Sequence, residues 1–385
     1  MTSGVKVWEV FSINIYKQMK IGIVITHPTQ FDVPIFKLGH EFIEVIYTDR
    51  KRVTNIYDPE IKQTVKWGDK NLEDYKFDVI PEQGAFKWLY RKFKVAKYDL
   101  IITNGYANKY YILSIVLGRF FALKNAIRVD SVLYNNKSSA KRIYKQLVYF
   151  FLKIFIDHFF VVGTLSKNHL LKYGIKDEKI SNYGYISDND FFSTSLTVPS
   201  EQKKELREAL GISPVSKVVL CISKHNEREA PFDTLQAFEK LHDETLHLLL
   251  IGDGPLHQKL IDMAGSLKIN NASFAGYIKF TDLPIYYSIS DVFVHDSHDE
   301  PWGVSVQEAI ASGLPVITSD KVGASFDLIL EGKNGYVFKA GDVEGLVEKM
   351  KLSLVMDKAL LAQTNLAILD QWNYKKTLEN IVAAI

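Results

Sequence analysis

Short apolar runs rich in β-branched residues alternate with longer stretches of helical period along almost the whole chain. That alternation marks βα units, whose strands assemble into parallel sheets covered by helices. In the first half the strand candidates are Ile21–Ile25, Ile43–Tyr47, Leu100–Thr103, Ala126–Val129 and Phe159–Val162. In the second half they are Lys217–Ser223, Leu246–Ile251, Ser273–Ala275, Val292–His295 and Pro315–Thr318. Two such sets predict an α/β protein with two Rossmann-like domains. Between them, Ser187-Asp188-Asn189-Asp190 leads into a polar, helix-poor stretch from Ser193 to Gln202, which reads as a linker. Helical patterns over Val343–Ser353 and Lys358–Leu369 follow the last strand, and a tail runs from Trp372 to Ile385.

At 385 residues each domain has an ordinary size, and 47% hydrophobic with 24% charged residues is the composition of soluble globular protein. The single cysteine, Cys221, sits in the apolar run Val218–Ile222 and reads as a small buried hydrophobe. One cysteine allows no intrachain disulfide, which fits a reducing compartment. Met1 to Gln18 lack the basic start, apolar stretch and cleavage site of a secretory signal, so no export is expected and the segment is set apart as an extension. The most apolar window, Leu147–Gly163, is broken by Lys153, Asp157 and His158, whereas a spanning helix needs about 20 largely uncharged residues.

Charge is segregated. Residues 1–198 carry 29 Lys and Arg against 19 Asp and Glu, a net +10, and the remainder carry 18 against 26, a net −8. The first half alone is therefore expected to meet a polyanion or an anionic membrane. Within it, Lys87–Lys94 and Lys141–Phe155 mix cations with aromatic rings suited to a headgroup interface. Reversible, salt-sensitive membrane binding of the first domain follows, with no role for nucleic acid.

The densest chemical signal runs from His295 to Gly335. A strand ends near His295, Glu300-Pro301-Trp302-Gly303 forms a loop, and a helix starts near Val304 and stops at Gly313, with Pro315 just beyond. The helix N-terminus then lies at the carboxyl end of a parallel strand, where open α/β sheets bind ligands. Its backbone N–H groups and dipole suit a diphosphate. Glu308, about one turn into the helix, is placed to accept two hydrogen bonds from a ribose diol, and Glu300 to meet hydroxyls of a transferred sugar.

This segment resembles the GT4 family of glycosyltransferases, in which two glutamates separated by seven residues and followed by Ala-x-Ala-x-Gly-x-Pro-Val mark the nucleotide-sugar site. The chain has Glu300, Glu308, Ala309, Ala311, Gly313, Pro315 and Val316 at those positions. The resemblance reaches back to Asp99 and covers about two-thirds of the chain. It implies the GT-B fold, two Rossmann-like domains facing a central cleft, with the donor on the second. Trp302, Gly303 and Val304 then belong to the donor side. The turn Gly252-Asp253-Gly254-Pro255 is similar to the family's Gly-x-Gly-Pro turn; a dinucleotide fingerprint would need a third glycine where His257 stands. Phe274–Ile278, with Tyr277, resembles the segment that meets the base. Where the family carries an arginine and a lysine five residues later, this chain has Lys224 and Glu229, with Arg228 beside it. Lys224 and Arg228 are therefore expected to share neutralisation of the leaving diphosphate. On the acceptor side the loop Thr26–Phe31 offers His27 and Gln30, without the glycine pair of many relatives, and Asp130 stands where many relatives have a cleft histidine.

No cofactor and no metal are expected. Asp188-Asn189-Asp190 precedes the linker, and neighbouring residues of His295–Asp299 on a strand end point to opposite faces, which opposes convergence on one ion. The expected domains are 19–195 for acceptor, 196–369 for nucleotide sugar, and a tail from 370 to 385 returning to the first. The resulting expectation is a retaining glycosyltransferase using a nucleotide diphosphate sugar, UDP-sugar favoured. The acceptor is a glycan or lipid-linked molecule in cell-surface polysaccharide or glycolipid assembly, and the setting is cytoplasmic, peripheral on the inner membrane face. The alternatives are a nucleotide-sugar epimerase of the same architecture and a non-catalytic nucleotide-sugar-binding protein.

Overall fold

The structure, a computed structural model, describes residues 19–54, 56–58, 63–65, 74–132 and 139–385. The expected extension 1–18 lies outside them, as do the side chains of Lys141 and Arg142. The chain divides into two compact units, one of residues 1–57, 64–185 and 374–385, the other of 58–63 and 186–373.

The main sheet of the first unit has, among the described residues, seven strands: β1 (Ile21–Ile25), β2 (Ile43–Tyr47), β3 (Lys76–Val79), β4 (Leu100–Asn104), β5 (Lys124–Val129), β6 (His158–Val161) and β7 (Ile180–Asn182). They pair in parallel in the order β3-β2-β1-β4-β5-β6-β7. Side chains alternate between the faces of a strand, so Ile21, Ile23 and Ile25 pack under α1 (Val33–Leu38) and the C-terminal helix Tyr374–Ala383. Val24, Ile101, Ile127 and Phe159 point the other way, under α2 (Ala85–Ala96), α3 (Lys109–Phe121), α4 (Ser139–Phe155) and α5 (Thr164–Lys172).

The second unit holds β8 (Lys217–Ile222), β9 (Leu246–Ile251), β10 (Ala272–Gly276), β11 (Val292–His295), β12 (Val316–Ser319) and β13 (Gly335–Phe338). These are parallel in the order β10-β9-β8-β11-β12-β13. Cys221 is buried among Val219, Leu250 and Val294, and burial pushes its thiol far up, out of the reactive range. The stretch expected to be helix-poor is largely helical: after α6 (Asn189–Ser193), a 3-10 turn covers Thr194–Thr197 and α7 (Ser200–Ala209) begins. Asp188 caps α6, accepting from the Phe191 N–H at 3.0 Å.

Both sheets reverse strand order once, between β1 and β4 and between β8 and β11. Loops leaving such a switch point diverge and open a crevice at the carboxyl ends of the strands. Among the described residues no single helix is long and apolar enough to cross a membrane.

Candidate active site

The loops after β8 and β11 frame the second unit's crevice. Arg228 fastens them together. Its Nη1 donates to Glu300 Oε2 at 2.7 Å and to the Asp299 carbonyl at 2.9 Å, while Nη2 donates to Glu229 Oε1 at 2.5 Å. Glu229 also accepts the Lys224 backbone N–H at 2.6 Å. Burial raises the Glu229 carboxyl, and the Lys224 N–H and Arg228 oppose that rise. Arg228, expected to share neutralisation of a diphosphate with Lys224, has its guanidinium held between the carboxylates of Glu300 and Glu229. Lys224 stands half-buried at the same strand end.

Glu300 is fixed from its other side too. Its N–H donates to the Lys321 carbonyl at 3.1 Å and its carbonyl accepts from Gly323 N–H at 2.9 Å. A Cβ on Gly323 would lie 1.9 Å from the Pro301 carbonyl oxygen, so only glycine lets these loops touch. Gly303, at φ +95°, turns the chain into α9 (Val304–Ala311), whose first turn has no side-chain cap. The Trp302 ring, expected on the donor side, is buried and stacks on Trp372 at 4.7 Å, and its carbonyl accepts from the Ala324 N–H at 2.8 Å.

Glu308 is 5% exposed and accepts from the Tyr287 hydroxyl at 3.0 Å. Burial pushes its carboxyl up to about 7, against the opposing effect of that bond. Tyr287 had no signal in the spacing of the sequence.

The glycine turn after β9 packs directly on the loop after β8. A Cβ on Gly252 would meet the Ser223 carbonyl oxygen at 1.8 Å, and one on Gly254 the His225 carbonyl oxygen at 2.6 Å. Gly252 N–H donates to the Gly276 carbonyl at 2.8 Å, which sets Tyr277, 37% exposed, next to the turn. His257, where a third glycine would fall, opens α8 (His257–Ser266) and stacks on His225 with 2.8 Å between their Nδ1 atoms. The acidic and histidine run after β11 diverges: Asp296 accepts from Thr234, and His298 pairs with Asp233 at 2.6 Å. Among the described residues no group of three or more His, Cys, Asp or Glu is arranged to hold a metal.

In the first unit His27 and Gln30 follow β1, both half-buried. Asp130 is exposed beyond β5 and accepts from the Tyr185 hydroxyl at 3.0 Å. Beneath it lies a pair that sequence reading missed. Arg128 Nη1 donates to Asp32 Oδ1 at 2.5 Å, both side chains at most 2% exposed. The guanidinium sits 4.4 Å from the ring centres of both Tyr183 and Tyr185, and Asp32 further accepts from Thr29 at 2.8 Å and Tyr183 at 3.2 Å.

Two parallel α/β units, each with one reversal of strand order, make up the GT-B fold. Residues 202–365, less than half of the chain, match the family model described as Glycosyl transferases group 1. Over 159 residues it is 33% identical to alpha-monoglucosyldiacylglycerol synthase of Acholeplasma laidlawii, covering 40% of this chain and 38% of that one. The first curated relatives are matched over only 38% to 44% of their own length. Among solved structures, a glycosyltransferase from Rickettsia africae ESF-5 superposes with TM-score 0.76 at 16% identity, covering 95% of this chain and 97% of that one. Anabaena Alr3699/HepE in complex with UDP superposes with TM-score 0.74 at 16% identity, covering 95% and 99%.

Proposed function

We propose that this chain is a retaining glycosyltransferase that takes a sugar from a nucleoside diphosphate sugar, a UDP-sugar by preference, to a glycan or lipid-linked acceptor. The observation that carries this reading is the Arg228–Glu300 link beside the N-terminus of α9, with Glu308 buried in the same helix. A carboxylate held by a guanidinium can accept sugar hydroxyls as positive charge develops on the ring. The helix terminus and Lys224 stabilise the departing diphosphate, which leaves on the face that the acceptor hydroxyl approaches. No metal is assigned a role. UDP in the Anabaena structure supports a uridine donor. The enzyme works in the cytoplasm, peripheral on the inner membrane face, in cell-surface polysaccharide or glycolipid assembly; the +10 against −8 charge of the two halves supports that setting.

Calorimetry of the full chain with UDP, GDP and ADP tests the donor. Incubation with UDP-sugars, following release of nucleotide, tests the reaction. Binding of UDP with nucleotide release supports transfer; an isomerised sugar with no release would instead mean an epimerase. Binding of none of the three nucleotides would overturn the reading.

A further inference from the structure

Helix α4 is apolar on two faces where a surface helix has one. Its inner face places Tyr149 and Leu152 in the core with Ile127 and Phe159. On its outer face Ile143, Tyr144, Leu147, Phe150, Phe151 and Ile154 are each 56% to 63% exposed. At 3.6 residues per turn these six side chains fall within an arc of about 120°. One core contact explains only its inner face, and soluble proteins seldom leave so large a contiguous apolar patch to water.

The surroundings select the occupant. Helices α2 and α3 cover the same sheet face, and none of α2, α3 and α4 contains Asp or Glu. Residues 85–156 carry 14 Lys and Arg against two acids. A second copy docking here would set one basic face against another, which like charge opposes. An anionic bilayer satisfies both the apolar arc and the cations around it. The 17-residue helix is about 25 Å long and is tied to the sheet along its inner face, so it cannot cross a bilayer. It can lie in the interface plane.

We propose that α4 inserts its outer face into an anionic membrane, so that the first unit is held by hydrophobic insertion and only steered by charge. This deepens the membrane setting given under the proposed function. It also differs from the salt-sensitive attachment expected from sequence, because the larger contribution comes from side chains that salt does not screen.

The full chain should co-sediment with vesicles of phosphatidylcholine and phosphatidylglycerol and should keep part of that binding near 1 M salt, where the screening length is about 3 Å. Combined Leu147→Gln, Phe150→Ser and Phe151→Ser should weaken vesicle binding by about tenfold or more and leave UDP affinity unchanged. Separately, Phe151→Trp fluorescence should be quenched by brominated lipids, a readout that does not depend on the triple variant folding. Three outcomes overturn the proposal: no vesicle binding at low salt; binding abolished by salt and insensitive to the triple variant; or a dimer, seen by light scattering, that the triple variant dissociates without any vesicle binding. Insertion without nucleotide binding would leave this surface standing and remove the transferase reading instead.

Discussion

The switch points of the two sheets solve the same geometric problem with opposite means. At β8 and β11 the crevice is lined by partly exposed charges on two loops, Arg228 and Glu300, whose side chains are 42% and 19% exposed. In the first unit, beside the switch point between β1 and β4, the charges have gone inside: Arg128 on β5 and Asp32 after β1 neutralise each other between tyrosine rings. The first pair stays partly in contact with solvent; the second is sealed inside the unit. Buried ion pairs of the second kind contribute little net stability, yet losing one partner is costly because the other charge stays buried.

The largest effect should therefore come from Asp32→Ala, which strands Arg128. Urea unfolding should show a loss of about 3–5 kcal/mol, while UDP affinity holds. Asp32→Leu combined with Arg128→Met should recover most of it; a loss below about 1 kcal/mol for the single variant would erase the contrast between the two crevices.

Measured at pH 8, where the carboxyl is ionised, Glu308→Ala should weaken UDP binding by about 1.5–3 kcal/mol, since it removes a charged acceptor from the ribose. Unchanged affinity in the folded variant would take Glu308 out of the ribose site. The same residue predicts a pH effect. With its folded value raised to about 7 from 4.5, the native state keeps a proton that the unfolded chain has released. Stability accordingly falls as pH rises between those values, by up to about 3 kcal/mol. Glu308→Gln should remove that part of the slope in unfolding experiments at pH 5 and pH 8.

Glu300→Gln should leave UDP affinity within about twofold and lower turnover by about 1–2 kcal/mol, because its partners belong to the sugar. Loss of binding to the sugarless nucleotide would contradict that placement. The smallest expected change is none: EDTA should leave turnover intact, and abolition with recovery on Mn²⁺ or Mg²⁺ would replace the helix terminus and Lys224 with a metal at the leaving group.

Strands buried on both faces were legible in sequence. β1, β2, β9 and β11 begin and end where their apolar runs do, because burial on two faces demands continuous hydrophobicity. β3 and β7 lie at sheet edges, carry Lys76, Asp78, Ser181 and Asn182, and give no such run. Glu300 and Glu308 could be found because one loop and one helix hold both. The partners that give them geometry are remote in the chain: Arg228 is 72 residues from Glu300, and Tyr287 is 21 from Glu308. Gly323 did leave a trace, a lone glycine in Val322-Gly323-Ala324 after a strand, which signals a close backbone approach without naming what approaches.

The helix Tyr374–Ala383 supplies Ile381 and Val382 to the core of the first unit, and Lys124 reaches across to the Ala384 carbonyl at 3.1 Å. These residues follow the whole of the second unit along the chain. During synthesis the second unit can therefore finish folding while the first still exposes the apolar face of its sheet, and the part made first is completed last. A released chain truncated before Tyr374 would hold a complete second unit and a first unit with an open apolar sheet face, prone to aggregation.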